Sequence, residues 1–488
     1  MPFQLKKLNL YFFGLLILLT SVVKAQEVIF ERIFDETLAQ ASYIIANREK
    51  EAIVIDPKRD IDTYINYANQ NGLKIKYVTE THIHADYLSG AQELAHAVKA
   101  DLLLSAEGGK DWEYQFPHYP LKHQQIISLG DIQIEVMHTP GHTPESLTFL
   151  VKDNKQKLLP IRAITGDFIF VGDVGRPDLL EKAAGQIGSQ YEGAYQLFES
   201  LKRFIKLPKE TEIWPGHGAG SFCGKSLSTI PQSTLEQEMA TNPAFQLLEN
   251  KEAFTKYILD GQPEPPQYFA FMKQWNKQMR PLKIMKPNIP LLTNEELKKA
   301  IQHNVIIIDT RKKEEVAKGF IPGSLHIEGG KSFATFVGSL VNLQEQIILI
   351  AEAQQMDDLT RKLMRIGMDN LYGYVQDVQQ FEGLKTSQII QADEVQQYLK
   401  YTNVQTIDVR TETEYADGHI KGFENIPLNT LEKNSGKIRK DIPVIIHCQS
   451  GARSAMAYSI LEKLGYTNIL NYSGSINDWK SKNLPLVQ

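Results

Sequence analysis

The sequence is poor in cysteine, with Cys223 and Cys448 the only two in 488 residues. Two thiols so far apart cannot staple a small secreted fold, so a disulfide framework is excluded as the source of stability. Each thiol is read for chemistry instead. A basic surplus is also missing: 53 Lys and Arg stand against 58 Asp and Glu, for a formal charge of −5. Without clustered cations to neutralise phosphates, nucleic acid is not the expected partner, although small anions held by a local field remain open. Long apolar runs are absent after the N-terminal "MPFQLKKLNLYFFGLLILLTSVVKAQ". There Lys6 and Lys7 precede an apolar stretch to Val23 and a small-residue site at Ala25, the pattern of a signal peptide over residues 1–25. The stretch is shorter than the roughly 20 residues of a spanning helix, so export to a periplasm or the exterior is expected, with an N-terminal membrane anchor as the alternative. Loss of Lys6, Lys7 and Lys24 would take the charge from −5 to −8, and whether the leader is cleaved is left open.

The length allows about three domains of roughly 150 residues. Residues 26–250 alternate β-branched runs such as "SYIIAN", "EAIVIDP" and "IKYVTETH" with polar helical patterns such as "IDTYINYANQNG", which predicts an α/β domain. Residues 251–289 include a proline-rich stretch without a clean period and are read as a connecting segment. Beyond it the chain repeats at about 98 residues, a duplicated domain rather than a solenoid. "VIIIDTRKKEEVAKGF" matches "VQTIDVRTETEYADGH", giving copies over 290–386 and 387–488. Each copy opens with a helix, and Thr293 with Glu296 makes a capping box for the first.

Chemistry-bearing residues cluster in the first domain. "THIHADYLSG" puts His82, His84 and Asp86 just after a strand, where ligands converge. "MHTPGHTPES", "AITGDFIFVGDVGRPDLL" and "EIWPGHGAGSFCGK" add His142, Asp167 and His217, each beside a glycine. His138 and Asp173 read as structural. The order HxHxD, TPGHT, TGD and PGHG resembles the metallo-β-lactamase fold, and the last two runs resemble the persulfide dioxygenases. That resemblance implies an αββα sandwich, one Fe(II) held by His82, His142 and Asp167, and His84, Asp86 and His217 near the metal with their ligation left open. It also places Cys223 beside the pocket, as a persulfide acceptor or as lining. In dinuclear hydrolases of this fold the motif ends in histidine, where this chain has Tyr87. A neutral phenol, with a pKa near 10, is a poor zinc ligand, so the second site is expected to be crippled.

"VIIHCQSGARSAMAYSILEKLG" sets Cys448 between an apolar strand and a helix, where backbone N–H groups and the helix end stabilise a thiolate or an anion. Gly451 permits the tight loop, and Arg453 is expected to contact sulfite or thiosulfate oxygens. CxxGxRS resembles the rhodaneses; Asp408, Arg410 and His419 read as structural. The middle copy has Ala351 or a neighbour where cysteine belongs, so it resembles an inactive rhodanese serving as a spacer or docking surface. The whole order resembles persulfide dioxygenase-rhodanese fusions. That implies Fe(II)-dependent oxidation of a small thiol persulfide by O₂ to sulfite, coupled to thiosulfate formation or use at Cys448. The alternative is a zinc thioester hydrolase resembling glyoxalase II. The carrier thiol, the direction of transfer and self-association into a homo-oligomer are left open.

Overall fold

The computed structural model of the chain describes residues 27–156, 160–184 and 188–488. The leader read over 1–25 lies outside them. Among the described residues no helix is long and apolar enough to cross a membrane.

Two six-stranded sheets build the first domain. One runs in sequence order through β1 (Ile29–Asp35), β2 (Gln40–Ala46), β3 (Glu51–Ile55), β4 (Lys74–Thr79), β5 (Asp101–Ser105) and β6 (Tyr119–Leu121). The other contains β7 (Ile126–Leu129), β8 (Ile132–His138), β9 (Leu147–Asp153), β10 (Arg162–Gly166), β11 (Glu212–Pro215) and β12 (Ser233–Thr234), again in order. Period-two alternation sets the layers. Tyr43, Ile45, Ile53 and Ile55 face Ile134, Phe149 and Ile164 of the opposite sheet. Ile44 and Val54 point the other way, onto Tyr64 and Ala68 of the helix Asp62–Asn71. Behind the second sheet, Leu150 and Ala163 meet Leu197 and Leu201 of the helix Ser189–Phe204. The result is the helix-sheet-sheet-helix sandwich of the metallo-β-lactamase fold.

The 251–289 segment contains two helices. Lys251–Leu259 inserts Phe254 and Ile258 into the core under the second sheet. Phe269–Lys277 sends Phe269 and Met272 into a cluster shared with the following domains.

Those domains repeat one topology. β13 (Ile306–Asp309), β14 (Leu325–His326), β15 (Ile347–Ile350) and β16 (Leu371–Val375) form a parallel sheet of order β14-β13-β15-β16. β17 (Gln405–Asp408), β18 (Glu424–Asn425), β19 (Val444–His447) and β20 (Ile469–Asn471) repeat it as β18-β17-β19-β20. Helices cover both faces, which is why the central strands read as unbroken apolar runs. The Thr293–Glu296 capping box forms as expected. One apolar cluster runs from Tyr87 and Leu88 of the first domain through Ile308 and Leu363 to Ile446 and Cys448.

Candidate metal centre and thiol loop

Loops leaving β4, β8, β10 and β11 at their C-terminal ends converge at one edge of the sandwich. They bring His82, His142 and Asp167 together, and beside them Asp86, His217 and Cys223; within each trio the donor atoms lie within 4.8 Å of one another. Asp167 stands between the trios. Its Oδ2 is 3.8 Å from His82 Nε2 and 3.5 Å from His142 Nε2, and its Oδ1 is 3.5 Å from His217 Nε2. Gly216 allows this approach, since a Cβ there would sit 2.8 Å from Asp167 Oδ1.

Backbone carbonyls aim the imidazoles. His142 Nδ1 donates to Arg176 O at 2.9 Å and His217 Nδ1 to Ala39 O at 3.1 Å. A carbonyl only accepts, so each Nδ1 keeps its proton and Nε2 is the nitrogen turned towards the carboxylates. Thr81 does the same for His82: its hydroxyl donates to Asp56 Oδ2 at 2.8 Å and accepts from His82 Nδ1 at 3.0 Å. His82 Nε2, Asp86 Oδ1 and both Asp167 oxygens are buried without a hydrogen-bond partner, and His217 Nε2 faces Asp86 Oδ2 at 3.2 Å. Each such atom costs about 1–3 kcal/mol when left alone, so a convergent bare set fits a divalent cation.

Electrostatics sort the histidines. Burial and the neighbouring His84, His142 and His217 hold His82 well below the ordinary imidazole value. Burial also lowers His142, against the pull of Asp167. For His217 burial acts the same way, but Asp167 and Asp86 prevail and raise it well above that value. His84 is committed elsewhere: its Nε2 donates to Asp56 Oδ1 at 3.1 Å, and this carboxylate outweighs burial to push it up to about 9. Asp56 is the residue that the sequence reading missed. It accepts from Thr81 N at 2.6 Å as well, so it braces both histidines of the motif. The signal was an aspartate at the end of the run "EAIVIDP".

Tyr87 is buried against His84, ring centroids 4.4 Å apart, with its hydroxyl donating to Asp56 O and accepting from Gln40 Nε2, both at 3.3 Å. As expected of a phenol, Tyr87 gives the second pocket no ligand: its hydroxyl is used on Gln40 and the Asp56 carbonyl. Cys223, remote in sequence, folds in to give Asp86 and His217 a third donor. Burial first, then Asp167 and Asp86, push its thiol up, so without a cation it is a neutral S–H and a weak nucleophile. Asp173 secures this loop by accepting from Lys225 N and Ser226 N at 2.8 and 2.9 Å.

In the third domain Cys448 follows β19 and precedes the helix Ala452–Lys463. Gly451 N donates to its sulfur at 3.1 Å, and Ser475 Oγ lies 3.7 Å from it. Ser475, with no motif to announce it, also accepts from Cys448 N at 3.1 Å. Arg453 departs from its expected role: both terminal nitrogens donate to Glu414, each at 2.6 Å, so a carboxylate holds the place expected for an anion. Arg410 pairs with Asp408 at 2.6 Å and donates to Gly418 O, a buried brace. Ala351, the residue after β15, sits where Cys448 follows β19.

A metal-type site at the loop edge of an αββα sandwich, followed by two rhodanese-like sheets, defines the class, and the chain belongs to the metallo-β-lactamase superfamily. The model of that superfamily matches residues 36–217, and the rhodanese-like domain model matches 293–383 and 391–482. A crystal structure described as a metallo-beta-lactamase from Staphylococcus aureus subsp. aureus COL is 39% identical, with a TM-score of 0.67, covering 72% of this chain and 99% of that one. Persulfide dioxygenase ETHE1, mitochondrial, of Bos taurus is 26% identical over 251 residues, 49% of this chain and 84% of that protein. Hydroxyacylglutathione hydrolase of Prochlorococcus marinus is 30% identical over 171 residues, 35% of this chain; the match spans 62% of that relative's length.

Proposed function

We propose that the chain oxidises a low-molecular-weight thiol persulfide to sulfite at one Fe(II) held by His82, His142 and Asp167, and that Cys448 exchanges sulfane sulfur with sulfite and thiosulfate. The observation that carries this reading is the donor set: two imidazoles and one carboxylate, buried and convergent, with His82 Nε2 and both Asp167 oxygens left without a hydrogen-bond partner. That is the ligand type of non-haem iron oxygenases, which leaves positions open. When bound, ferrous iron supplies the redox chemistry by which dioxygen reacts with a persulfide. One persulfide, one dioxygen and one water give one thiol, one sulfite dianion and two protons. The chain's part is to keep Nε2 of His142 and of His82 turned to the metal position, through the Nδ1 bonds to Arg176 O and to Thr81.

At the third domain the Cys448 sulfur attacks the outer sulfur of a persulfide, and the carrier thiol leaves with a proton. Sulfite then attacks the sulfur carried on Cys448, freeing the cysteine and forming thiosulfate; the reverse order consumes thiosulfate. The Gly451 N–H steadies charge on Cys448 in both directions. Export, proposed from the N-terminal pattern alone, would put mature protein beginning at Gln26 outside the cytoplasm.

A second reading is favoured by the Asp86–His217–Cys223 trio, which would let two zinc ions serve thioester hydrolysis. Metal analysis of protein purified without added metal, paired with oxygen-electrode traces on a small persulfide, separates the two. About one iron per chain with oxygen uptake, both lost in His142→Ala, is expected. Zinc near two equivalents with thioester hydrolysis and no uptake would overturn the proposal.

A further inference from the structure

The backbone of the metal-bearing loop is held from outside the two sheets. Asn276, buried in the helix Phe269–Lys277, donates through Nδ2 to His84 O and Tyr87 O, both at 2.8 Å, and accepts from Ser89 N at 2.9 Å. Tyr268, just before that helix, donates its hydroxyl to Asp86 O at 2.9 Å. Leu88 N donates at 2.7 Å to the carbonyl of Arg365, the last residue of the helix Met356–Arg365 in the thiol-less domain. That helix is itself pinned to the first domain. Arg365 Nε and Nη2 meet Asp60 at 2.9 and 2.6 Å, and Arg361 grips Asp62 at 2.8 and 2.7 Å.

A primary amide is the side chain that gives two protons to two carbonyls while taking one from an N–H. Asn276 uses all three capacities, which fixes its orientation. We propose that Asn276 is a positioning residue of the metal centre, holding the His84–Ser89 backbone so that Asp86 keeps facing His217 and His82 keeps facing Asp167, and that the thiol-less domain completes this support through Arg365. The inference rests on the metal-ligand reading of His82, His142 and Asp167, not on the identity of the substrate. Asn276→Asp keeps the shape and the Ser89 bond but sets a carboxylate oxygen against two carbonyls. Tyr268→Phe removes one hydroxyl and leaves the ring in place.

Both variants and the wild type, as full chains, are loaded with cobalt(II), and two quantities are read: the d–d absorption spectrum and the rate of cobalt loss to a chelator. Asn276→Asp is expected to change the spectrum and to lose cobalt about tenfold faster. Tyr268→Phe should move both quantities in the same direction by a smaller factor. Thiosulfate transfer at Cys448 reports the fold and should stay within about twofold in both. An intact Asn276→Asp protein with the wild-type spectrum and loss rate overturns the proposal. If Asn276→Asp loses transfer as well, Tyr268→Phe decides, and its having wild-type values on both readouts rejects the proposal. A wild type that takes up no cobalt rejects the metal reading and this inference with it.

Discussion

Tyr87 and Glu414 show how single residues are tied into this molecule by bonds that a motif does not reveal. The Tyr87 hydroxyl bridges Gln40 and the Asp56 carbonyl, away from the bare donors. Tyr87→Phe should therefore leave metal content unchanged while costing stability by about 1 kcal/mol, the net worth of a buried hydrogen bond. Urea unfolding followed in parallel with metal analysis checks this, and metal loss without destabilisation would contradict it. Glu414 is different because its bond is charged. Burial raises its pKa, but Arg453 and the Thr411 backbone outweigh burial and hold it down to about 2. A carboxylate whose folded value lies below its unfolded value of about 4.3 contributes stability that is fully present above the unfolded value and is lost as pH falls through the folded one. The stability gap between wild type and Glu414→Gln should therefore be widest at neutral pH and close between about pH 4.3 and 2. Urea-induced exposure of Cys448 to a thiol reagent that works in acid measures it; a gap independent of pH over that window would refute the pairing.

The helix Ala452–Lys463 depends on how its first turn is entered. Gly451 has φ of +92°, and a Cβ there would meet Ser473 O at 2.2 Å and Lys313 Nζ at 2.5 Å. An alanine would carry about 1–2 kcal/mol of left-handed strain and displace the N–H aimed at Cys448. Gly451→Ala should thus cut thiosulfate transfer by about tenfold or more and leave the metal domain's oxygen uptake unaffected. Transfer at the wild-type rate would show that this N–H is dispensable. The thiol element was legible because strand, loop and helix are contiguous in sequence. So were His142 and Asp167, each beside a glycine, and His82, in an alternating motif just after a strand. The helix Phe269–Lys277 was not, since prolines surround it and its apolar residues serve a surface shared with other domains. Asn276 was hidden for a related reason: its partners are backbone groups about 190 positions away, and no side-chain pattern marks a carbonyl. Cys223 was seen, but its place beside Asp86 depends on a loop route that spacing does not give.

Across the whole molecule, the middle domain touches both reacting loops. Arg365 O receives Leu88 N at the metal loop, and Lys313 Nζ donates to Ser450 O at 2.7 Å beside Cys448. Fusion raises the concentration of one site as seen by the other, but each holds every group its own step needs. Cys448→Ser should therefore keep oxygen uptake on a small free persulfide within about twofold while abolishing thiosulfate formation, since a serine hydroxyl forms no stable persulfide. Oxygen traces and thiosulfate quantification on the same samples test this. Loss of uptake with iron retained would mean that the persulfide reaches iron only through Cys448. The joint between the sites has one more property. On the proposed function the middle domain lies between persulfide and oxygen chemistry, where a reactive thiol would be open to oxidation from sulfenic towards sulfonic acid. Ala351 offers only a methyl group at that place. Chemical wear thus falls outside the middle domain, and a chain whose transfer step at Cys448 has been burnt out still keeps its clasp on the metal loop.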